Sequence, residues 1–360
     1  MNLVFRTGHS AMSYDDGHYV IGSCTDGLGT VLSNLGPKFR KINDILDGTR
    51  NFEQCVVALA QELTCSTDFS RKIINLLLQR NHIEDLSIPS TISEEEKERY
   101  SRSANYYSWT GGDKTLNRWG PQERIKNSSI LILGVGGIGG AVATNLILSG
   151  VKKLVLVDFD SVELSNLNRQ VLYNETCIGV SKVKAARETL SKLNSKTQII
   201  TLDVEISSAE QLREIYIAQG PFDIVFKAAD SPPQLPYWVS DLALDFHFPW
   251  IDSSYAGPMI SCVTFQPGKT GCYRCLREEE YQRMMDQGMS EFFQEEPIGL
   301  NAAIAPTVAL AGALAAYEGL RFLCTKDNPS IGAVLHQNLV DYRQRFATAI
   351  RSDCPHQPRR

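Results

Sequence analysis

Residues 128–158 constrain the fold more than any other part of the chain. The segment contains an apolar strand, a glycine-rich turn from Gly134 to Gly139, an apolar helix, and a second strand that ends at Asp158. A strand, a tight turn, a helix and a second parallel strand form the βαβ unit with which open parallel sheets bind nucleotides. We therefore predict a doubly wound α/β domain with a nucleotide site at this turn.

The glycines of the turn predict how a phosphate would be held. Gly134, Gly136, Gly137 and Gly139 let the backbone turn tightly, and the helix that follows directs its free N–H groups at an anion. Asp158 ends the second strand, where a carboxylate accepts hydrogen bonds from ribose hydroxyls. Glycines at this spacing also serve helix-to-strand packing alone, so the turn by itself leaves both interpretations open.

Charged residues after Asp158 indicate ATP rather than a dinucleotide. Arg169 and Lys182 are cations that could clamp a triphosphate. Asp230 follows a buried strand, at the sheet edge where ligands bind, and could hold Mg²⁺. For each residue alone, a solvated face or a surface ion pair would be the more common explanation.

Together, these residues resemble the ubiquitin-activating-like adenylating superfamily of the ThiF and MoeB type, over about residues 98–356. This superfamily includes molybdopterin and thiamine sulfur-carrier activators, and precursor-peptide adenylating enzymes of the microcin-C and pantocin types. The resemblance implies an ATP-dependent adenylating enzyme with a Rossmann-like domain, which forms AMP and pyrophosphate. A carboxylate is the nucleophile in that chemistry, so cations and Mg²⁺ suffice and no general base is required.

The resemblance also assigns roles to individual residues. It implies that the glycines of the turn hold the phosphates, that Asp158 binds the ribose and that Asp230 binds Mg²⁺. The other nucleotide-binding residues that it implies are Asp160, Asn166, Arg169, Gln170 and Lys182. The run Arg-Tyr-Ser-Arg at 99–102 matches a segment whose second arginine reaches the partner's nucleotide site, which implies a homodimer. The expected catalytic residues are Arg102, Arg169, Lys182 and Asp230.

Two cysteines at zinc-knuckle spacing predict half of a metal site. Cys272 and Cys275 are separated by two residues, and Cys354 and His356 near the C-terminus offer two further ligands. Members of the superfamily place a second Cys-x-x-Cys there, so this chain departs from the pattern. We expect a structural Zn²⁺ with a Cys3His ligand set, and a reduced, packed cysteine pair beside a free tail is the alternative.

The loop before the last apolar helix separates two branches of the superfamily. Residues 295–306 contain no cysteine, whereas sulfur-carrier activators keep one in this loop. A persulfide or thioester relay would lack its thiolate nucleophile at the expected place. The resemblance therefore favours the peptide-adenylating branch. The segment from Ala302 to Leu323 is apolar on nearly every face, which predicts a helix buried in the core or in a dimer interface.

Residues 1–86 are predicted to form a separate domain. Three strand-like runs, at 3–6, 19–24 and 29–34, precede three amphipathic helices, at 37–46, 52–63 and 67–79, and Ser66 is predicted to cap the last helix. This order resembles the winged-helix-like, PqqD-like leader-recognition domain of peptide natural-product enzymes. A leader would add a strand to the sheet edge, and pockets near Ile73, Ile74 and Leu77 would select its side chains. A domain that only caps the dimer is the alternative.

The charge and composition of the chain indicate which classes of partner and which cellular compartment to expect. A net charge of −5, with no basic cluster in residues 1–86, argues against nucleic-acid binding. We expect a cytoplasmic protein without a membrane partner, because the nine cysteines form no disulfide-like framework and no signal peptide is recognisable. Residues 87–103 are predicted as a linker and arm that carries Arg102, and residues 104–360 as the adenylation domain.

The expected function is ATP-dependent adenylation of a carboxylate of a ribosomally synthesised precursor peptide, in antibiotic-type natural-product biosynthesis. The carboxylate could be the C-terminus or a Glu or Asp side chain. One alternative is a non-catalytic protein that presents a leader peptide to another enzyme, which the intact set of charged residues argues against. Another is an activator of a sulfur carrier or ubiquitin-like protein, which the missing cysteine and the added N-terminal domain oppose.

Overall fold

A computed structural model describes residues 1–15, 17–23, 28–110, 116–288 and 302–356 of the chain. These residues form two compact units, Met1–Arg124 and Ile125–Arg360. The first unit extends well past residue 86, where the sequence predicted a boundary. Polar contacts explain this extent, because Asn81 donates a hydrogen bond to the Ser108 carbonyl at 3.1 Å and Arg118 Nε donates one to Glu84 at 2.6 Å.

The first unit combines small antiparallel sheets with helices. Its strands are β1 (Leu3–Phe5), β2 (Ala11–Asp15), β3 (His18–Ile21), β4 (Thr30–Leu32) and β5 (Ile83–Asp85). Its helices are α1 (Ile42–Ile45), α2 (Phe52–Leu63), α3 (Thr67–Gln79) and α4 (Glu94–Trp109), and a 3-10 turn at Pro37–Lys41 precedes α1. The strands β2, β3 and β4 form one sheet, and β1 pairs with β5. The strands β2 and β5 were not predicted from the sequence, and one helix was predicted where the 3-10 turn and α1 lie.

Side-chain caps set the starts of the three longer helices. The Asn51 side chain accepts a hydrogen bond from the Gln54 amide at the start of α2, and Ser66 accepts one from the Phe69 amide at the start of α3. Ser93 forms a capping box with Glu96, which starts α4 inside the predicted linker.

The apolar face of α3 faces the core of the first unit. Ile73 is 7% exposed, and Ile74 and Leu77 are fully buried in a cluster that also contains residues of α2. These three residues do not line the cavity found between the segment 34–38 and the start of α3, and the selection of leader side chains between the third predicted strand and α3 stays a prediction. Amphipathic spacing does not distinguish a face that closes a core from one that lines a groove.

The second unit contains an eight-stranded sheet with helices between its strands. A short helix, α5 (Gly120–Lys126), spans the boundary between the units. The strands are β6 (Ser129–Leu133), β7 (Lys153–Val157), β8 (Gln198–Leu202), β9 (Ile224–Lys227), β10 (Trp250–Ala256), β11 (Met259–Phe265), β12 (Ala333–Asn338) and β13 (Gln344–Ala349). The helices are α6 (Gly137–Ser149), α7 (Lys182–Leu193), α8 (Ala209–Gln219), α9 (Leu235–Phe246), α10 (Tyr273–Asp286) and α11 (Ala305–Thr325).

The strand order of this sheet creates a place for a ligand. The order is β13-β12-β11-β10-β9-β6-β7-β8, parallel from β8 to β10 and antiparallel from β10 to β13. The chain runs outward from β6 through β7 to β8, and returns to the other side of β6 as β9. Open sheets bind ligands at such a switch point, beyond the carboxyl ends of the strands. The predicted doubly wound α/β fold is confirmed.

One helix, α11, is long and apolar enough to cross a membrane by length and composition alone. Within its most apolar window, 61% is buried. The helix packs against α6 and against β10 and β11, and Ser253 of β10 donates a hydrogen bond to the Ala311 carbonyl. A core helix of a soluble domain passes the same test, so this helix is weak evidence for a membrane span.

Candidate nucleotide site and metal centre

A cavity of about 460 Å³ opens where β6, β7 and β9 end. It is lined by ten residues that the sequence analysis expected to bind a nucleotide, namely Gly134, Gly136, Gly137, Asp158, Asp160, Asn166, Arg169, Gln170, Lys182 and Asp230. Of the predicted nucleotide-binding residues, Gly139 alone is not in this lining. The structure thus brings together residues that are spread over nearly a hundred positions of sequence.

Close backbone packing explains two of the glycines. Gly134 has a φ of +87°, and a Cβ on it would lie 2.7 Å from the Ala229 amide nitrogen. A Cβ on Gly139 would lie 1.9 Å from the Gly134 carbonyl oxygen. Gly139 therefore lets α6 pack directly beneath the turn, while the turn itself faces the cavity.

Two side chains hold the backbone of Val135 in the middle of the turn. Asp158 Oδ2 accepts a hydrogen bond from the Val135 amide at 2.6 Å, and the Tyr173 hydroxyl donates one to the Val135 carbonyl at 2.7 Å. Burial raises the pKa of Tyr173, so its hydroxyl remains a protonated donor at neutral pH. Tyr173 was not predicted from the sequence, because nothing in the pattern distinguishes it from a tyrosine that only fills the core.

A chain of carboxylates leads from the turn to Lys182. Asp158 Oδ1 accepts a hydrogen bond from the Asp160 amide at 2.9 Å, and Asp160 Oδ2 lies 2.6 Å from Lys182 Nζ. Lys182 begins α7 and is only 7% exposed, while the Asp160 side chain is 49% exposed. The ammonium group is thus held in place at the cavity by an acidic neighbour that water still reaches.

The segment between β7 and α7 contributes three more polar residues. Arg169 Nη1 donates a hydrogen bond to the Ser165 carbonyl at 2.7 Å, which holds the guanidinium group at the cavity. Asn166 and Gln170 are each 6% exposed. Within the described part of the chain, Gln170 Oε1 is buried and accepts no hydrogen bond. An acceptor left without a donor in a cavity fits a bound group that supplies one, such as a ribose hydroxyl or a metal-bound water.

The cations, backbone amides and carboxylate of the cavity suit a nucleoside triphosphate with Mg²⁺. Arg169 and Lys182 supply positive charge, the glycine turn supplies backbone amides, and Asp230 supplies an exposed carboxylate oxygen of the kind that Mg²⁺ prefers. Asp230 makes no hydrogen bond or ion pair with other described residues. Its carboxylate is therefore available to a ligand that enters the cavity.

A second cluster joins α10 to the C-terminal tail. Ligand atoms of Cys272, Cys275, Cys354 and His356 all lie within 4.8 Å of one another. The Sγ atoms of Cys272 and Cys275 are 3.8 Å apart, and those of Cys275 and Cys354 are 3.7 Å apart. His356 Nδ1 lies 3.3 Å from Cys272 Sγ and 3.6 Å from Cys275 Sγ.

These separations match a tetrahedral zinc site. With Zn–S bonds of about 2.3 Å and a Zn–N bond of about 2.0 Å, tetrahedral ligands stand about 3.8 Å apart for two sulfurs and about 3.5 Å apart for sulfur and nitrogen. Burial raises the pKa of the Cys275 thiol to about 12, and it also raises that of Cys272. Without a metal these thiols stay protonated, so metal binding would release protons.

Two elements of the sequence prediction are not among the residues of these clusters. Arg102 is exposed on α4, in the first unit, and makes no ion pair with other described residues. The part of the cysteine-free loop from 295 to 301 lies outside the described residues.

The strand order, the glycine turn and the charged cavity define a nucleotide-binding protein of the doubly wound α/β class. The ThiF family model matches residues 100–356, and the chain belongs to this family. Membership of the predicted ThiF and MoeB type superfamily is thereby confirmed.

Curated relatives match parts of the chain. SUMO-activating enzyme subunit 2 of Dictyostelium discoideum is 35% identical over 153 residues, which are 42% of this chain and 22% of that protein. MOCS3 of Drosophila persimilis, an adenylyltransferase and sulfurtransferase, is 30% identical over 240 residues, 66% of this chain and 48% of that protein. Molybdopterin-synthase adenylyltransferase of Escherichia coli K12 is 29% identical over 218 residues, 59% of this chain and 80% of that protein. The chain therefore spans less than half the length of the first two of these relatives.

Solved structures resemble the chain over nearly its whole length. A crystal structure of E. coli MccB with ATP has a TM-score of 0.76 at 23% identity, and covers 99% of both chains. PaaA has a TM-score of 0.73 at 24% identity, over 96% of this chain and 100% of PaaA. The fold of this chain is thus shared with these proteins in both of its units.

Proposed function

We propose that this protein is an ATP-dependent adenylating enzyme that acts on a carboxylate of a ribosomally synthesised precursor peptide. A carboxylate oxygen attacks the α-phosphorus of ATP, the bond between the α-phosphorus and the bridging oxygen breaks, and pyrophosphate leaves with that bond's electron pair. The products are an acyl adenylate and pyrophosphate. AMP is released when a later nucleophile takes the acyl group.

The observation that carries this proposal is the composition of the cavity. A nucleotide site for hydride transfer needs little positive charge, whereas the lining of this cavity contains Arg169, a buried Lys182 and an exposed Asp230. Mg²⁺ held by Asp230 would neutralise phosphate charge when bound. The two cations and the amides of the glycine turn would stabilise the charge that builds on the phosphates as pyrophosphate leaves.

The first unit offers a sheet edge to a peptide. Strand β4 pairs only with β3 among the described strands, and its Val31 is 63% exposed. A cavity of about 320 Å³ lies beyond the end of β4, between the segment 34–38 and the start of α3 at Phe69. We expect a leader peptide to add a strand to β4 and to place an apolar side chain in this cavity.

The comparison proteins support a peptide substrate. E. coli MccB, the microcin C7 biosynthetic enzyme, forms a complex with N-formylated MccA, which is a precursor peptide. The likeness to MccB covers 99% of this chain, so it includes the first unit. A peptide recruited by its leader accounts for both units, so we place this chain with the peptide-adenylating enzymes.

The proposal includes a homodimer, a structural metal and a cytoplasmic location. The exposed Arg102 would reach the nucleotide site of the partner subunit, as the family resemblance implies. Zn²⁺ held by Cys272, Cys275, Cys354 and His356 would tie the C-terminal tail to α10. We propose no nucleic-acid or membrane partner.

Pyrophosphate release tests the proposal. The purified protein is incubated with ATP, Mg²⁺ and a synthetic peptide encoded by the short reading frame nearest its gene. We expect release that depends on the peptide and is lost in Asp230→Ala, and that is kept in Asp327→Asn, which changes an exposed carboxylate away from the cavity. Equal pyrophosphate release by Asp230→Ala and the wild type would contradict a role of the cavity in the reaction.

A further inference from the structure

One carboxylate contacts the proposed metal site without being a ligand. Helix α10 follows Cys272, carries Cys275 in its first turn, and carries Glu278 three residues later. Residues three apart lie on the same face of a helix, so Cys275 and Glu278 face the same side. Glu278 Oε1 lies 3.6 Å from Nε2 of His356.

The two nitrogens of His356 point at different partners. Nδ1 lies among the sulfurs, 3.3 Å from Cys272 Sγ, whereas Nε2 faces Glu278. An imidazole that binds a metal through Nδ1 carries its proton on Nε2. That N–H would then have a carboxylate oxygen as its neighbour, at a separation a few tenths of an ångström longer than a hydrogen bond.

The charged residues near the cysteine and histidine cluster show which carboxylate is close to His356. Three thiolates and Zn²⁺ would carry a net charge of −1. Two cations near the thiols already have carboxylate partners, since Arg351 pairs with Asp353 at 2.9 Å and Arg274 pairs with Asp241 at 2.7 Å. Among the ion pairs of the described residues, Glu278 is the carboxylate that contacts His356.

We propose that Glu278 is a positioning residue for the metal centre. It accepts the Nε2–H of His356, which fixes the tautomer and the ring orientation in which Nδ1 binds Zn²⁺. By holding the ligand, it also fastens the C-terminal tail to α10. Carboxylates that accept a hydrogen bond from a metal-binding histidine have this effect in other zinc sites, where their removal costs about 10- to 100-fold in metal affinity. The inference rests on the proposed zinc site.

The test measures how quickly the protein loses zinc. The full-length protein is purified with zinc, its metal content is measured by elemental analysis, and a chromophoric chelator then reports zinc release over time. The variants are Glu278→Ala, Glu278→Gln and the matched control Glu279→Gln, which removes the same charge from the next position of α10. Glu278 has a 57% exposed side chain, so these changes should leave the fold intact, as circular dichroism will check.

We expect the wild type and Glu279→Gln to release zinc at the same rate, and Glu278→Ala to release it at least about tenfold faster. Glu278→Gln should lie between them, because its amide oxygen still accepts a hydrogen bond but carries no charge. A Co²⁺-substituted Glu278→Ala protein should also show a shifted visible spectrum. Equal release by Glu278→Ala and Glu279→Gln, from proteins that hold one zinc per chain, would overturn the role of Glu278 alone. A wild type that contains no zinc would overturn the metal site together with it.

Discussion

Removing the hydroxyl of Tyr173 tests whether the glycine turn is held in place by the contacts described above. In Tyr173→Phe, the Val135 carbonyl loses its hydrogen bond from the tyrosine, while the ring can still fill its place in the core. Val135 is fully buried, so its carbonyl is left without a partner at a cost of about 1–3 kcal/mol. The turn must be ordered to bind phosphate, so the same free energy sets an upper limit of about 150-fold on the loss of ATP affinity.

Two assays measure this change. Urea unfolding of the full chain should show the second unit destabilised, and titration with ATP and Mg²⁺ should show a higher dissociation constant. The control is Tyr342→Phe, which removes a hydroxyl from a residue that is 79% exposed and should change neither quantity. A Tyr173→Phe protein with wild-type stability and wild-type ATP affinity would refute the idea that Tyr173 positions the turn.

In Gly139→Ala the new Cβ would meet the Gly134 carbonyl, so we expect a loss of stability of about 1–3 kcal/mol and weaker ATP binding. The control Gly36→Ala should be tolerated, because nothing lies within 4 Å of its new Cβ. Equal urea-unfolding midpoints for the two variants would contradict this expectation. Burial lowers the pKa of His9 and of His82 to about 4, so the unfolded chain binds more protons than the folded chain between about pH 6.5 and pH 4. The free energy of unfolding should therefore fall as the pH drops through that window. A urea-unfolding midpoint that stays constant from pH 7.5 to pH 5 would contradict this prediction. Heterodimers of Arg102→Ala with Asp230→Ala should regain part of the pyrophosphate release that each homodimer lacks, and verified heterodimers without activity would exclude a role in trans.

Local signals in the sequence predicted the longer elements of the fold well. The bounds of α2 and α3 agree with the prediction at both ends, because polar caps mark their starts. The strand β5 was missed because two of its three residues are acidic, and β2 was missed because it contains no β-branched residue. The capping box at Ser93 was available in the sequence, but the run of charges after it was assigned to a linker.

The candidate nucleotide site was largely predictable, because several of its residues follow a strand and Lys182 starts a helix. The carboxyl ends of parallel strands converge, so Gly134, Asp158 and Asp230 share an edge once the strand order is known. The contacts of Tyr173 and Glu278 were not predictable in this way. Both depend on where a segment distant in sequence is placed, and Glu278 meets His356 only because the C-terminal tail folds onto α10.

An isotope-transfer experiment tests the central claim most directly. A precursor peptide with ¹⁸O in its carboxylates is incubated with the enzyme, ATP and Mg²⁺, and the nucleotide products are analysed by mass spectrometry. If a carboxylate oxygen attacks the α-phosphorus, that oxygen stays with the phosphate when a later nucleophile takes the acyl group. The account predicts AMP that carries one ¹⁸O atom. Formation of ADP, or of AMP without ¹⁸O, would contradict it.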